Sequence, residues 1–286
     1  MHDTRPTPRW GHVSPWSSST VLLCGLGLCG LGACRPPAPP PRIQPPAPAP
    51  REPAAAPPSI LSAHLARVDD PELGGKDGIL LVLDAELDAA SLRPRAFVIS
   101  RTSAGPVWPE QAILAPASED DENRTVLLIG EFGEPGQEPS HVAIAGSLWS
   151  EDGRLLQGLG APVTPSAAPP YVVALQVLPP APQRCEGVAQ TLRTYWTDEL
   201  RGVEADDLSR IRVRLHGGAL VSPVRFDDHE TEHGEAGQDN VLDLCVDDPA
   251  PIDALSVQGG AFHDVAGHRS ASLELRPSDP VARPGR

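Results

Sequence analysis

Short apolar runs at spacing two alternate with clusters of Gly, Pro, Asp and Asn along most of this chain, and no segment after Pro58 keeps a long 3.6-residue period. The pattern predicts strands at 79–83, 96–100, 125–129 and 141–145 in the first half. It predicts others at 172–178, 188–196, 211–216, 241–246 and 255–257 in the second. Ile211, Val213 and Leu215 alternate with Arg212, Arg214 and His216, so one face is expected to line a core and the other to meet solvent. Many short strands without a helix predict an all-β sandwich.

One apolar run is of another kind. Residues 21–33 are apolar or small without interruption, and a polar segment carrying Arg5 and Arg9 against Asp3 precedes them. A bilayer core takes about 20 helical residues to cross. This run is too short for an ordinary transmembrane helix but has the length of a signal-peptide apolar region. It closes on Leu31-Gly32-Ala33-Cys34, which resembles the lipobox of bacterial lipoprotein signals. The resemblance implies cleavage of residues 1–33 and acylation of Cys34 by palmitate-type chains. Each buried CH₂ contributes ~0.8 kcal/mol, so several chains on one residue anchor firmly without a spanning helix. Arg35 stands where Asp would favour retention at the inner membrane. The resemblance therefore implies the outer membrane or cell surface, with the face left open. The long polar leader also leaves open a start codon downstream of Met1.

Behind Cys34 the composition changes again. Between residues 35 and 58, 12 of 24 residues are Pro, and Ala is the commonest of the rest. Pro fixes φ and removes a donor, so the stretch is expected to be a disordered, polyproline-like tether reaching up to roughly 75 Å. A low-complexity segment of no particular length is the alternative. Removing residues 1–33 takes away Arg5, Arg9 and Asp3 and leaves 21 basic and 37 acidic residues, a net charge of −16. That balance argues against a nucleic-acid partner and against electrostatic binding to anionic lipid. The partners expected are the membrane, through lipid on Cys34, and an envelope protein.

Five cysteines occur, of which Cys24 and Cys29 lie in the signal and Cys34 is the acylation site. Cys185 and Cys245 remain, and one leftover pair in an exported protein predicts a disulfide, worth about 4 kcal/mol in the chain-entropy model. Leu242, Leu244 and Val246 share a parity that places Cys245 on the opposite face, so the bridge is expected at the periphery.

The two halves resemble each other. Ile79-Leu-Leu-Val-Leu-Asp-Ala-Glu-Leu87, with Ala90-Ser91-Leu92 after it, has a counterpart in Thr191-Leu-Arg-Thr-Tyr-Trp-Thr-Asp-Glu-Leu200, with Ala205 to Leu208 after it. Late in each half, His141 to Arg154 matches Ser256 to Arg269 at an offset of about 110 residues, a natural size for an immunoglobulin-like sandwich. These features resemble the bacterial Ig-like domains of surface-layer and envelope proteins, whose last strand follows an Asp-x-x-Gly-Asn turn. Here the turns read Glu151-Asp152-Gly153-Arg154, which looks shortened, and Asp264-Val265-Ala266-Gly267-His268, with His for Asn. The resemblance implies tandem Ig-like β-sandwiches behind the tether. The boundaries expected are signal 1–33, lipidated Cys and linker 34–58, first sandwich 59–164, linker 165–170, second sandwich 171–277 and a disordered tail 278–286. One large sandwich stays open as the alternative.

The sharpest chemical motif is His229-Glu230-Thr231-Glu232-His233, which satisfies the H-E-x-x-H pattern of zinc hydrolases. That chemistry needs a helix with a buried face. The window from Asp227 to Asn240 instead has no apolar face and contains Gly234 and Gly237, so an exposed loop is expected. Loose binding of Ca²⁺ or Zn²⁺ through Asp227, Asp228, Glu230 and Glu232 with His229 and His233 is the lesser alternative, and the zinc-hydrolase reading would rest on His229, Glu230 and His233. The acidic stretch from Ser118 to Asn123 reads as the matching loop of the first half. His216, His263 and His268 are scattered and read as surface or turn residues. Neither a G-x-S-x-G elbow nor a phosphate-binding Gly loop occurs, so no cofactor and no catalytic set is expected. Trp108, Trp149 and Trp196 could form a sugar-binding face, Trp149 being the one expected at the surface and Trp196 in the core. Two functions compete: a non-enzymatic spacer or protein-binding lipoprotein, and a carbohydrate- or ligand-binding one. A zinc hydrolase stands third.

Overall fold

The computed structural model describes residues 57–68, 75–117, 122–178, 184–227 and 239–277. Cys34, the Pro/Ala-rich segment through residue 56, the motif of His229, Glu230 and His233, and the tail 278–286 lie outside the described residues. Among the described residues no helix is long and apolar enough to cross a membrane.

The first half contains β1 (Ile60–Arg67), β2 (Asp77–Leu83), β3 (Phe97–Arg101), β4 (Gln111–Leu114), β5 (Thr125–Gly130), β6 (Pro139–Ile144) and β7 (Gly160–Pro162). They form two antiparallel sheets, ordered β1-β2-β5-β4 and β3-β6-β7. With strands lettered A to G in chain order, these are the sheets ABED and CFG of a constant-type immunoglobulin domain. The second half contains β8 (Val172–Leu178), β9 (Gln190–Trp196), β10 (Ile211–Leu215), β11 (Leu220–Val221), β12 (Arg225–Asp227), β13 (Val241–Val246), β14 (Ile252–Val257) and β15 (Leu273–Leu275). Its sheets run β8-β9-β13-β12 and β11-β10-β14-β15, the same order with one short strand added beside C. The described residues are thus all-β, a pair of immunoglobulin-like sandwiches.

Each sandwich closes on its own apolar core. The first packs Ile79, Leu81 and Leu83 of β2 and Val126 and Leu128 of β5 against Phe97, Ile99, Val142 and Ile144. In the second, Leu192 and Trp196 of β9 and Leu242, Leu244 and Val246 of β13 face Ile211, Val213, Leu215, Leu255 and Val257. Trp196 meets the Phe262 ring edge-on at 5.3 Å and donates its indole N–H to Thr194 Oγ1 at 3.0 Å. It fills the core and contributes nothing to any exposed aromatic face.

Both sandwiches end in the same turn, which corrects the reading of a shortened first copy. Ser150 stands where Asp264 stands in the second. Ser150 N–H bonds to Arg154 O, Gly153 N–H to Ser150 O, and Arg154 N–H to Ser150 Oγ, at 3.0, 2.9 and 3.0 Å. In the second copy Asp264 N–H bonds to His268 O, Gly267 N–H to Asp264 O, and His268 N–H to Asp264 Oδ1, at 3.0, 3.0 and 2.7 Å. A hydroxyl therefore closes one turn and a carboxylate the other. Gly153 and Gly267 lie at φ +81° and +85°, left-handed backbone that a Cβ disfavours.

Several strands were absent from the sequence reading. β1, eight residues long, is among them, and so is β7, just ahead of the expected linker 165–170, which completes the first sandwich while Thr164 bridges to His64. β4, β11, β12 and β15 have two to four residues, too few for an alternation to register. More consequential is the burial of every residue of β9 after Gln190 and of all six in β13. A sheet with one wet face leaves alternate residues exposed. Here both faces are covered.

Candidate functional site

What covers the second face is the other sandwich. Alternation directs Leu80 and Val82 of β2 away from the first core, and it directs Arg193 and Tyr195 of β9 and Val241 and Asp243 of β13 away from the second. The two ABED sheets meet across these outward faces. Val82, Ala117, Tyr171, Val173, Tyr195 and Val241 form an apolar cluster distinct from both cores. Polar groups surround it. Asn240 donates to Thr125 Oγ1 and to Trp196 O, both at 3.1 Å. The Arg124 guanidinium lies 5.3 Å from the centre of the Tyr195 ring. His64, fully buried on β1, places Nδ1 3.2 Å from Asp198 Oδ2, close enough for an ion pair but without the alignment of a hydrogen bond.

The most heavily charged part of the junction is also buried. Arg193, 1% exposed, donates from Nε and a terminal nitrogen to the two oxygens of Asp243, each at 2.9 Å. The same guanidinium reaches Glu122 of the first sandwich at 2.8 Å. Arg184 pairs with Asp243 from the other side at 2.6 Å. Burial works against the charge on Arg193, but hydrogen bonds from Arg193 to Asp243, helped by the Asp243 and Glu122 charges, outweigh it and hold the guanidinium protonated. Burial also raises the Tyr195 phenol above its ordinary range, while nearby Arg124 and Arg193 pull the other way.

Glu122 corrects the reading of its acidic segment as a solvated loop. Its side chain is buried and committed to Arg193; residues 118–121 lie outside the described residues. No local signal marks it, because its partner is distant in sequence. Arg193 was equally hidden within a strand, although an arginine in the middle of an otherwise β-forming run was the one available hint.

Cys185 and Cys245 form the expected disulfide. Cys245 points away from the core shared by Leu242, Leu244 and Val246, as its parity predicts, yet it is fully buried. The segment around Cys185 lies over that face, and Cys185 itself has φ +51°. Asp227 accepts the Cys185 N–H and approaches Cys245 Sγ at 3.9 Å. The three side chains have the proximity of a metal site. The sulfurs are spent on each other, so only the carboxylate retains a ligand lone pair with charge.

The remaining candidates lie at the surface. Trp108 is 46% exposed beneath Arg95, whose guanidinium sits 5.6 Å from the ring centre, in a shallow groove with Arg93, Pro94, Pro106 and Glu131. Trp149 is 42% exposed and borders a second groove with Asp88, Ala89 and Glu151. Trp108 sits on the segment before β4 and Trp149 at the closing turn, so they line separate grooves. His216 lies 3.5 Å from Asp253 on the outer face of the second CFG sheet. His263 and His268 belong to the closing turn, where His268 Nδ1 lies 2.8 Å from Asp264 Oδ2.

No protein-family model and no curated protein matches the chain. Among solved structures, the crystal structure of bovine butyrophilin matches at 9% identity over 78% of this chain and 100% of that one, with a TM-score of 0.18. A score that low carries no weight, and the immunoglobulin-like fold rests on the strand order itself.

Proposed function

We propose that the chain is a non-enzymatic cell-envelope lipoprotein, anchored through lipid on Cys34 at the outer membrane or cell surface, whose sandwiches form a rigid spacer or scaffold for an envelope protein. The observation that carries this reading is the junction. Independent beads on a string would leave both ABED faces wet, whereas here they are sealed by an apolar cluster and buried ion pairs. Such a joint transmits position, which a spacer or scaffold requires and a flexible tandem does not supply. The run at 21–33 ending in Cys34 supplies the attachment.

Two measurements test this. Membrane fractions should retain the wild-type chain and lose a Cys34→Ala variant; equal retention of both would refute the lipid anchor. Cross-linking in intact envelopes should join the wild-type chain to a protein partner. The exposed Trp108 and Trp149 favour a second reading, carbohydrate binding, and a glycan array separates the two. Sugar binding abolished by Trp108→Ala or Trp149→Ala, with no protein cross-link, would replace the scaffold reading.

A further inference from the structure

The disulfide and the junction share one surface, and their order on it is informative. Along the outward face of β13 lie Val241, Asp243 and Cys245 in succession. Their register partners on β9 are Tyr195, Arg193 and Thr191. Val241 and Tyr195 belong to the apolar cluster against the first sandwich. Cys245 is held by Cys185 at the opposite end. Asp243 and Arg193 occupy the middle and are gripped from both sides, by Glu122 of the first sandwich and by Arg184, the residue next to Cys185.

We infer that the Cys185–Cys245 disulfide sets the joint between the sandwiches, by holding Arg184 on Asp243 and so fixing the guanidinium of Arg193 that reaches Glu122. The argument is geometric. Arg193 cannot serve Asp243 bidentately and Glu122 together unless the Asp243 carboxylate stays in place. That carboxylate has a second cationic partner only while the Cys185 segment lies over β13. All four charged side chains are at most 13% exposed, so an error in one position is not absorbed by water. The bridge lies outside the second core, and its position suits an external brace better than a core staple. Arg184 is therefore a positioning residue that acts through Asp243 and Arg193.

The test compares hydrogen exchange in the full chain, oxidised, as wild type, as Cys185→Ser/Cys245→Ser, and as Arg184→Met. The inference expects amides at the junction, near Thr125, Trp196 and Val241, to exchange roughly tenfold faster or more in both variants, the scale of losing one partner of a buried ion pair. Amides of β10 and β14, which pair away from the junction, should keep their wild-type rates. Junction amides unchanged in the Ser variant would overturn it. So would a uniform rise across the second sandwich in that variant with no junction effect in Arg184→Met, since the disulfide would then merely stabilise the second fold. Arg184→Met keeps the disulfide, so it decides the matter even if the Ser variant fails to fold.

Discussion

Replacing Arg193 by Met removes a side chain that joins Asp243 to Glu122 while roughly keeping its volume. The guanidinium is 1% exposed, and its carboxylate partners are 5% and 6% exposed, so the variant leaves negative charge in a poorly solvated place. Removing one partner of a buried ion pair costs about 3–5 kcal/mol. Asp243 retains Arg184 at 2.6 Å, which favours the lower end, near 3 kcal/mol. Glu122→Gln removes the opposing charge from the other sandwich and keeps a hydrogen-bonding group. If the two residues act across the joint, the double variant must be more stable than the sum of the single losses implies, by roughly 0.5–3 kcal/mol. Urea unfolding followed by fluorescence of buried Trp196 gives all four free energies. Additivity within about 0.5 kcal/mol would refute the coupling. A loss below about 1 kcal/mol in Arg193→Met would refute the assignment of its charge to a buried site.

Further outcomes follow from the same geometry. Because burial raises the Tyr195 phenol in the folded chain, its contribution is fully present below the ordinary tyrosine value of about 10 and is lost as pH rises through the raised one. Stability should therefore fall on the alkaline side, and Tyr195→Phe should flatten that limb; an unchanged alkaline profile would show that the ring is not shielded. Gly153→Ala and Gly267→Ala put a Cβ on left-handed backbone with no neighbour within 4 Å, so each should cost about 1 kcal/mol from conformation alone. Thermal unfolding checks this, and a cost in only one copy would contradict the equivalence of the two turns.

The all-β class, most of the longer strands and the disulfide were legible because they depend on local pattern: alternation in β10, the turn residues around Gly267, the leftover cysteine pair. The repeat was legible too, and Leu87 and Leu200 fall at matching buried positions. The joint was not. Val82 and Tyr195 look like ordinary strand residues, and an acidic stretch before Thr125 looks solvated. What buries Glu122 is an arginine far along the chain, and no window of sequence contains both. The candidate surface grooves were half legible. Trp149 was expected outside and Trp196 inside, and both expectations hold, but Trp108 under Arg95 depends on how the segment before β4 folds back over a 3₁₀ turn.

The joint also unites equivalent faces of two copies of one unit, as the two halves of a symmetric dimer do. Symmetry would force every residue to meet the same environment twice. Covalent succession lifts that constraint, and the fourth and sixth positions of the matching strands show it: Leu80 and Val82 in β2, Arg193 and Tyr195 in β9. One copy is free to specialise in shape and the other in charge. Severed from its mate, the first sandwich would present Leu80 and Val82 to water, and its natural recourse would be self-association.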